Sequence, residues 1–229
     1  MGDNQKCKII RRTLTLASIM IASISCDSKS ENAEIIIANN VSAQVVGAMK
    51  NVMWKGKLAG MISGETIKEK KGLCALGPVE YLSRELLIID GRSYLSKVIS
   101  DSSMAVQESF QVNAPFLVYA NQLDWNIEDF ASELRTIQSL EEFIERASVD
   151  FERPFVFKLI GLVAQVEIHI QNLPKGRKVS SPEEVHQGQT NFTIENSELE
   201  IVGFFSTDYK GIFTHHASNV PLHLITEDS

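Results

Sequence analysis

All five histidines of this 229-residue chain, His169, His186, His215, His216 and His223, lie in its last 61 residues. Three of them arrive within nine positions, in the stretch 203–223 reading GFFSTDYKGIFTHHASNVPLH. Imidazole is the commonest protein ligand for zinc and the usual proton carrier near neutral pH. The same residues on a sheet edge and a loop also serve as ordinary solvated side chains. The cluster therefore leaves two readings open, a chemical site or a solvent-facing rim.

Composition narrows the partners. The formal net charge is −7, and Lys6, Lys8, Arg11 and Arg12 against Asp3 leave residues 1–26 at +3 and the rest at −10. An acidic body without a basic stripe argues against nucleic acid and against anionic membrane surfaces. Eleven Phe against two Trp and four Tyr suit a packed core better than a stacking surface. Small-molecule chemistry and protein contact remain.

The first 26 residues read as an export signal. A basic start, KCKIIRR, leads into a mainly apolar run from Thr13 to Ser25, short of the about 20 residues that span a bilayer. Small residues precede Cys26, which points to a lipoprotein cut before Cys26 and anchored by acyl chains on it, although Ser23 stands where such sites usually carry a Leu-like residue. Residues 27–40 then form a polar tether, DSKSENAE, and a first strand, EIII at Glu34–Ile37. Within the folded body only Cys74 remains, which excludes an internal disulfide and a Cys-based zinc knuckle.

Two further parts follow, an N-terminal α+β part over 41–150 and a C-terminal β part over 151–229 that carries the histidines. Apolar spacing from Val41 to Trp54 predicts a helix ending at Gly56. Strands and turns follow to Ser96, with Asp90-Gly91 the strongest hairpin signal, and another strand is expected at Ala114–Tyr119. Asn126–Ala147 reads as helical and broken near Ser139, where Ser139-Leu140-Glu141-Glu142 resembles a capping box that starts a second helix. Beyond Pro154, Ala164–Ile170 alternates so that Gln165, Glu167 and His169 share a face. Residues 175–189 read as a polar loop holding an exposed His186, and two strands are expected around a Glu195-Asn196 turn. The fold class is α+β, β-dominated, with mixed or antiparallel sheets and two helical insertions.

LGPVEYLSRELLIIDGRSY (76–94), PFVFKLIG (154–161) and VGFFSTDYKGIFTHHASNVPLHLI (202–225), with AMKNVMWKGKLAG (48–60), resemble the α-acetolactate decarboxylase family, in particular an exported branch of it. The resemblance implies that family's fold and its reaction. That reaction is decarboxylation of acetolactate, a 2-hydroxy-3-oxo acid, to acetoin at a Zn2+ ion held by three histidines. A Lewis acid bound to the hydroxyl and ketone oxygens would stabilise the enediolate left by CO2 loss, and a carboxyl group would govern proton delivery. By resemblance that carboxyl is Glu85 of RELLIIDG, with Arg84 where the family usually has Gly.

Two of the family's zinc ligands stand two residues apart on one strand, where side chains point the same way. His223 matches the second, but Pro221 occupies the first, and the chain stops at Ser229 before the third is expected. His169 falls where many members carry an Arg that contacts substrate, so His169, His215 and His216 are candidate pocket residues, and His223 the candidate metal ligand. His215 or His216 rebuilding a metal site with His223 is an alternative, as is a metalloenzyme of other specificity. A degenerate, metal-free binding or structural protein of the envelope is the reading from another class. A sheet edge left bare at the carboxyl end would favour a homo-oligomer.

Overall fold

The computed structural model describes residues 14–17, 34–38, 42–129, 136–214 and 218–226. Strands dominate, in the order β1 (Leu14–Ala17), β2 (Glu34–Ala38), β3 (Gln44–Gly47), helix α1 (Met49–Lys55), β4 (Ile62–Ser63), β5 (Leu73–Pro78) and β6 (Glu85–Ile89). There follow β7 (Arg92–Ser100), β8 (Ser103–Glu108), β9 (Asn113–Ala114), β10 (Phe116–Asn121), β11 (Trp125–Asp129) and helix α2 (Ile137–Ala147). The chain then runs through β12 (Phe155–Gln171), helix α3 (Pro182–His186), β13 (Gln189–Phe205) and β14 (Leu222–Thr226). This is the α+β, β-dominated architecture expected.

Two six-stranded antiparallel sheets carry the fold. The first runs β1-β14-β13-β12-β2-β11 and the second β3-β10-β5-β6-β7-β8, while β4 and β9 pair separately. The first sheet draws strands from both sides of residue 150. Its edge strand β1 falls inside the segment read as an export signal, with Leu16 opposite His223 in the ladder.

Strand alternation sorts the core into three layers. Leu87, Ile89, Leu76 and Val118 from the second sheet meet Val156, Val202 and Phe204 from the first between the sheets, together with Met49, Val52 and Met53 of α1. The intervening residues Phe155, Phe157, Ile201 and Phe205 face the far side of the first sheet, where α2 covers them with Leu140 and Ile144. Leu86 and Ile88 face the far side of the second. One step along a strand thus moves a residue from one layer to the next.

Several expectations are corrected. Asp90 (φ 48°) and Gly91 (φ 82°) do form the tight turn between β6 and β7. Asn196 (φ 47°) is left-handed too, but it makes no hairpin. It is an irregularity inside one 17-residue strand, where the β12–β13 register passes from Val163↔Ser197 to Gln165↔Glu195. The stretch read as helix from Val41 begins instead as β3, because the β-branched pair Val45–Val46 joins the sheet and Gly47 (φ 72°) turns the chain before α1. Likewise Trp125–Asp129 pairs with β2 rather than opening a helix.

Helix α2 starts one turn earlier than expected. Thr136 caps it, its hydroxyl accepting from the Ser139 N–H at 3.1 Å while Ser139 Oγ accepts from the Thr136 N–H at 3.2 Å. Glu141, read as part of a cap, is committed elsewhere. Its carboxylate accepts from Ser218 Oγ (2.7 Å), the Asn219 N–H (2.8 Å) and Asn219 Nδ2 (3.0 Å), and so holds the approach to β14. The polar loop before residue 189 also contains α3, capped by Ser181 and anchored by buried Val185.

A charged contact ties the sheets at the far end of β6. Lys158 of β12 is only 4% exposed and donates to Asp90 at 2.6 Å and Glu200 at 3.0 Å. Burial pulls its ammonium pKa down, but the Asp90 hydrogen bond and the Glu200 charge more than reverse this, leaving it above 10.5. Nearby Cys74 is buried, its thiol pushed up to about 11 by desolvation, which keeps it an unreactive core residue.

Gly47 offers a direct check on the β3–α1 corner. A Cβ there would meet the Pro115 carbonyl oxygen, in a left-handed conformation that side chains resist. Gly47→Ala is expected to cost about 1–3 kcal/mol in urea unfolding; a variant as stable as the parent would contradict this corner.

Candidate functional site

The site follows from that alternation. On β6, Glu85 shares the face of Leu87 and Ile89, so its carboxyl enters the inter-sheet layer and is only 2% exposed. On β14, Leu222 and Leu224 belong to the outer layer, which turns His223 inward opposite Val202. On β12, Val166 and Ile168 face the outer layer, leaving His169 and Gln171 on the inner side. Three strands of two sheets thereby bring Glu85, His169, Gln171 and His223 to one cavity of about 220 Å³.

Helix α1 closes the cavity with Met49, Val52 and Met53, and Val185 and Phe213 add apolar wall. Pro221 lines it too. Its carbonyl accepts from the Phe204 N–H at 3.4 Å, so the chain is already in register where β14 begins, and proline at a strand start forfeits only its own donor. None of the described lining residues is a lysine or arginine.

Two hydrogen bonds cross between the sheets here. His223 Nδ1 lies 3.0 Å from the Leu86 carbonyl oxygen. A carbonyl only accepts, so Nδ1 carries the proton and Nε2 keeps the lone pair. In return, Glu85 Oε1 accepts from the Gln171 backbone N–H at 3.2 Å. Glu85 Oε2 and Gln171 Oε1 are buried without a hydrogen-bond partner, as is the hydroxyl of Ser96, which stands directly opposite Glu85 on β7.

Burial sets the protonation states. Desolvation holds the Glu85 carboxyl well above its usual 4.5, opposed only by the Gln171 N–H. It holds the His223 imidazole well below 6.5, against the Leu86 carbonyl and with help from the neighbouring His169. Burial thus favours the uncharged form of both the carboxylic acid and the imidazole. Such a pair can donate and accept a proton or hydrogen-bond an uncharged ligand.

The expected zinc ligand set does not fit. His223 has the tautomer that a metal ligand adopts, its second nitrogen tied to a carbonyl. Two residues before it on the same face stands Pro221, which has no lone pair to give. Among the described residues no group of three His, Cys, Asp or Glu comes together as metal ligands would. His215 and His216, the other pocket candidates, lie outside the described residues, and His186 on α3 is exposed and away from the cavity lining. Gln171 escaped sequence reasoning, though its position two residues after His169 on an alternating strand was the available signal.

Comparison with known proteins agrees with this frame. The family model described as alpha-acetolactate decarboxylase matches residues 44–229. The chain belongs to the alpha-acetolactate decarboxylase family. It is 23% identical over 201 residues to the alpha-acetolactate decarboxylase of Lactococcus lactis subsp. cremoris (strain MG1363), covering 87% of this chain and 77% of that one. The L. lactis subsp. lactis (strain IL1403) enzyme is 24% identical over 185 residues, covering 80% and 72%. The crystal structure of the Bacillus subtilis strain 168 decarboxylase superposes with a TM-score of 0.61 at 22% identity, over 81% of this chain and 76% of that one. A Staphylococcus aureus protein of unknown function, similar to alpha-acetolactate decarboxylase, superposes at 0.57 with 14% identity, over 82% and 84%. At these identities the two structural matches establish a shared fold.

The two buried groups push stability in opposite directions with pH. The folded chain keeps the Glu85 proton that the unfolded chain releases above about pH 4.5, so Glu85's contribution is whole below that value and declines as pH rises toward the folded pKa. For His223 the unfolded chain takes up the proton first, so stability declines as pH falls below about 6.5. In urea unfolding between about pH 4 and pH 8, Glu85→Gln should remove the first slope and His223→Asn the second. A Glu85→Gln curve parallel to the parent's would mean that this carboxyl titrates normally.

Proposed function

We propose that this chain is a ligand-binding member of the alpha-acetolactate decarboxylase family whose pocket persists while the three-histidine zinc centre does not. The observation that carries this is the β14 register. His223 enters the cavity without a second imidazole from its own strand face, because Pro221 takes the position from which one would reach the same metal. The pocket itself supports binding, being concave, largely apolar and supplied with a few polar groups.

The competing reading is zinc-dependent decarboxylation of 2-acetolactate to acetoin, the activity that the family resemblance implies. What favours it is the buried pairing of an uncharged acid, Glu85, with a ligand-ready imidazole, His223. Such an acid would protonate the carbanionic product of CO2 loss, but the described residues offer no three-ligand set to hold a metal that would stabilise that charge. Export and acyl attachment through Cys26 belong to the same proposal and rest on the sequence of residues 1–26. Processing before Cys26 would remove β1 from the β14 edge and leave its backbone groups free to pair with a second copy.

Metal analysis and product assay on the purified full chain decide between the readings. The expected result is substoichiometric zinc after dialysis against zinc and no acetoin beyond uncatalysed decarboxylation. Pro221→His, which restores two imidazoles on one strand face, should tighten zinc binding in a chelator competition. Stoichiometric zinc with acetoin release by the parent chain would overturn the binding reading.

A further inference from the structure

A second concavity lies at the surface and shares no lining residue with the cavity between the sheets. It is a groove of about 520 Å³ built from residues 56–61 after α1, Tyr81 in the turn Glu80–Leu82, and residues 176–178 ahead of α3. One rim stands open, since a Cβ on Gly176 would meet nothing within 4 Å. Backbone hydrogen bonds fix the three segments together. Tyr81 N–H donates to the Leu58 carbonyl at 2.7 Å, and Leu173 N–H, upstream of the third segment, donates to the Leu82 carbonyl at 2.9 Å.

Tyr81 (φ 60°) and Leu82 (φ 51°) are both left-handed, a conformation that side chains resist. The turn buries Leu82 in the core between the sheets and leaves Tyr81 54% exposed at the groove. Packing therefore accounts for Leu82, whereas Tyr81 belongs to none of the three core layers. Met61, 60% exposed, lines the same groove. The fold thus holds an aromatic ring and a thioether in water on a strained turn.

The groove's charge is opposite to that of the chain. Lys57, Arg177 and Lys178 line it, all exposed, and no Asp or Glu stands among its described lining residues, in a protein of net charge −7. Neighbouring carboxylates are engaged elsewhere. Glu80 accepts from Gly60 N–H at 3.2 Å and Asn113 Nδ2 at 3.3 Å. Glu184, which feels the Arg177 charge, accepts from Ser180 N–H at 2.6 Å and Ser180 Oγ at 3.0 Å. Arg177 itself spends one donor, Nη2 to Gln187 Oε1 at 3.3 Å, and keeps the rest of its fork.

Composition chooses among anionic partners. Exposed Tyr, Met and Arg side by side are what protein interfaces bury at their centres. A nucleic-acid strand needs a track of cations with successive stacking rings, and here there is one ring and three cations. A layer of anionic headgroups would meet the acidic body as well as the groove. Independently of what the inter-sheet cavity holds, we infer that this groove docks an acidic peptide segment of a partner protein that carries one bulky apolar side chain. The segment's carboxylates pair with Lys57, Arg177 and Lys178, and its apolar side chain packs on Tyr81 and Met61. No bond is made or broken.

Fluorescence anisotropy with the full chain tests this, using dye-labelled blocked peptides of sequence EEFEE, EEAEE and KKFKK. EEFEE should bind at least about tenfold tighter than KKFKK and about threefold tighter than EEAEE, and added salt should weaken it. Arg177→Glu, on an exposed turn, should weaken EEFEE binding by at least about fivefold. Tyr81→Gly should erase the preference for EEFEE over EEAEE. Glycine takes the left-handed conformation freely, so that loss reports the ring and not a disturbed turn. If the glycine variant does not fold, the peptide series and Arg177→Glu still decide. Equal binding of EEFEE and KKFKK overturns the inference, as does an EEFEE affinity that Arg177→Glu leaves unchanged, or no peptide binding at millimolar concentration. Binding of oligothymidylate or of phosphatidylglycerol vesicles in place of EEFEE overturns the peptide as the partner.

Discussion

Two hydrogen bonds running in opposite directions between the sheets hold this molecule's centre together. β14 of the first sheet donates through His223 to the Leu86 carbonyl of β6, and β12 of the first sheet donates through Gln171 N–H to the Glu85 carboxyl of β6. Both bonds are buried in a low-dielectric layer, where a lost partner is costly. They set the distance between the sheets at the start of β6, as the Lys158–Asp90 contact does at its end. The cavity is the space left between these ties, roofed by α1.

The same bonds determine what the site can be. Because His223 spends its Nδ1 proton on a backbone carbonyl, its other nitrogen is an acceptor, while desolvation holds the imidazole pKa down against that bond. Desolvation likewise holds the Glu85 carboxyl pKa up, opposed by the one N–H it accepts from. Pro221 retains the strand while offering no lone pair where the family resemblance implies a ligand.

Support for the site comes from residues that never enter it. Glu141, on a helix packed against the outer layer, holds Ser218 and Asn219 through three hydrogen bonds and so fixes where β14 begins. Gly47 turns the chain so that α1 can lie over the cavity. The edge of β14 is covered by β1, so the backbone of the site strand is paired on both sides.

Local chemistry was legible from residues alone. Asp90-Gly91 announced its turn through backbone preference, the alternation through Ala164–Ile170 announced which face His169 would take, and Pro221 announced a missing lone pair. Where the sequence misled, a competing partner had won. Asn196 tolerates a left-handed kink without ending a strand, Trp125–Asp129 found β2 to pair with, and Glu141 left its expected cap for a loop. Convergence could not be read in advance. Glu85 and Gln171 are 86 residues apart and Leu86 and His223 are 137 apart, and only the pairing register of both sheets brings them together. The protonation states followed from that same burial, since desolvation is a property of what surrounds a side chain and not of the residue itself.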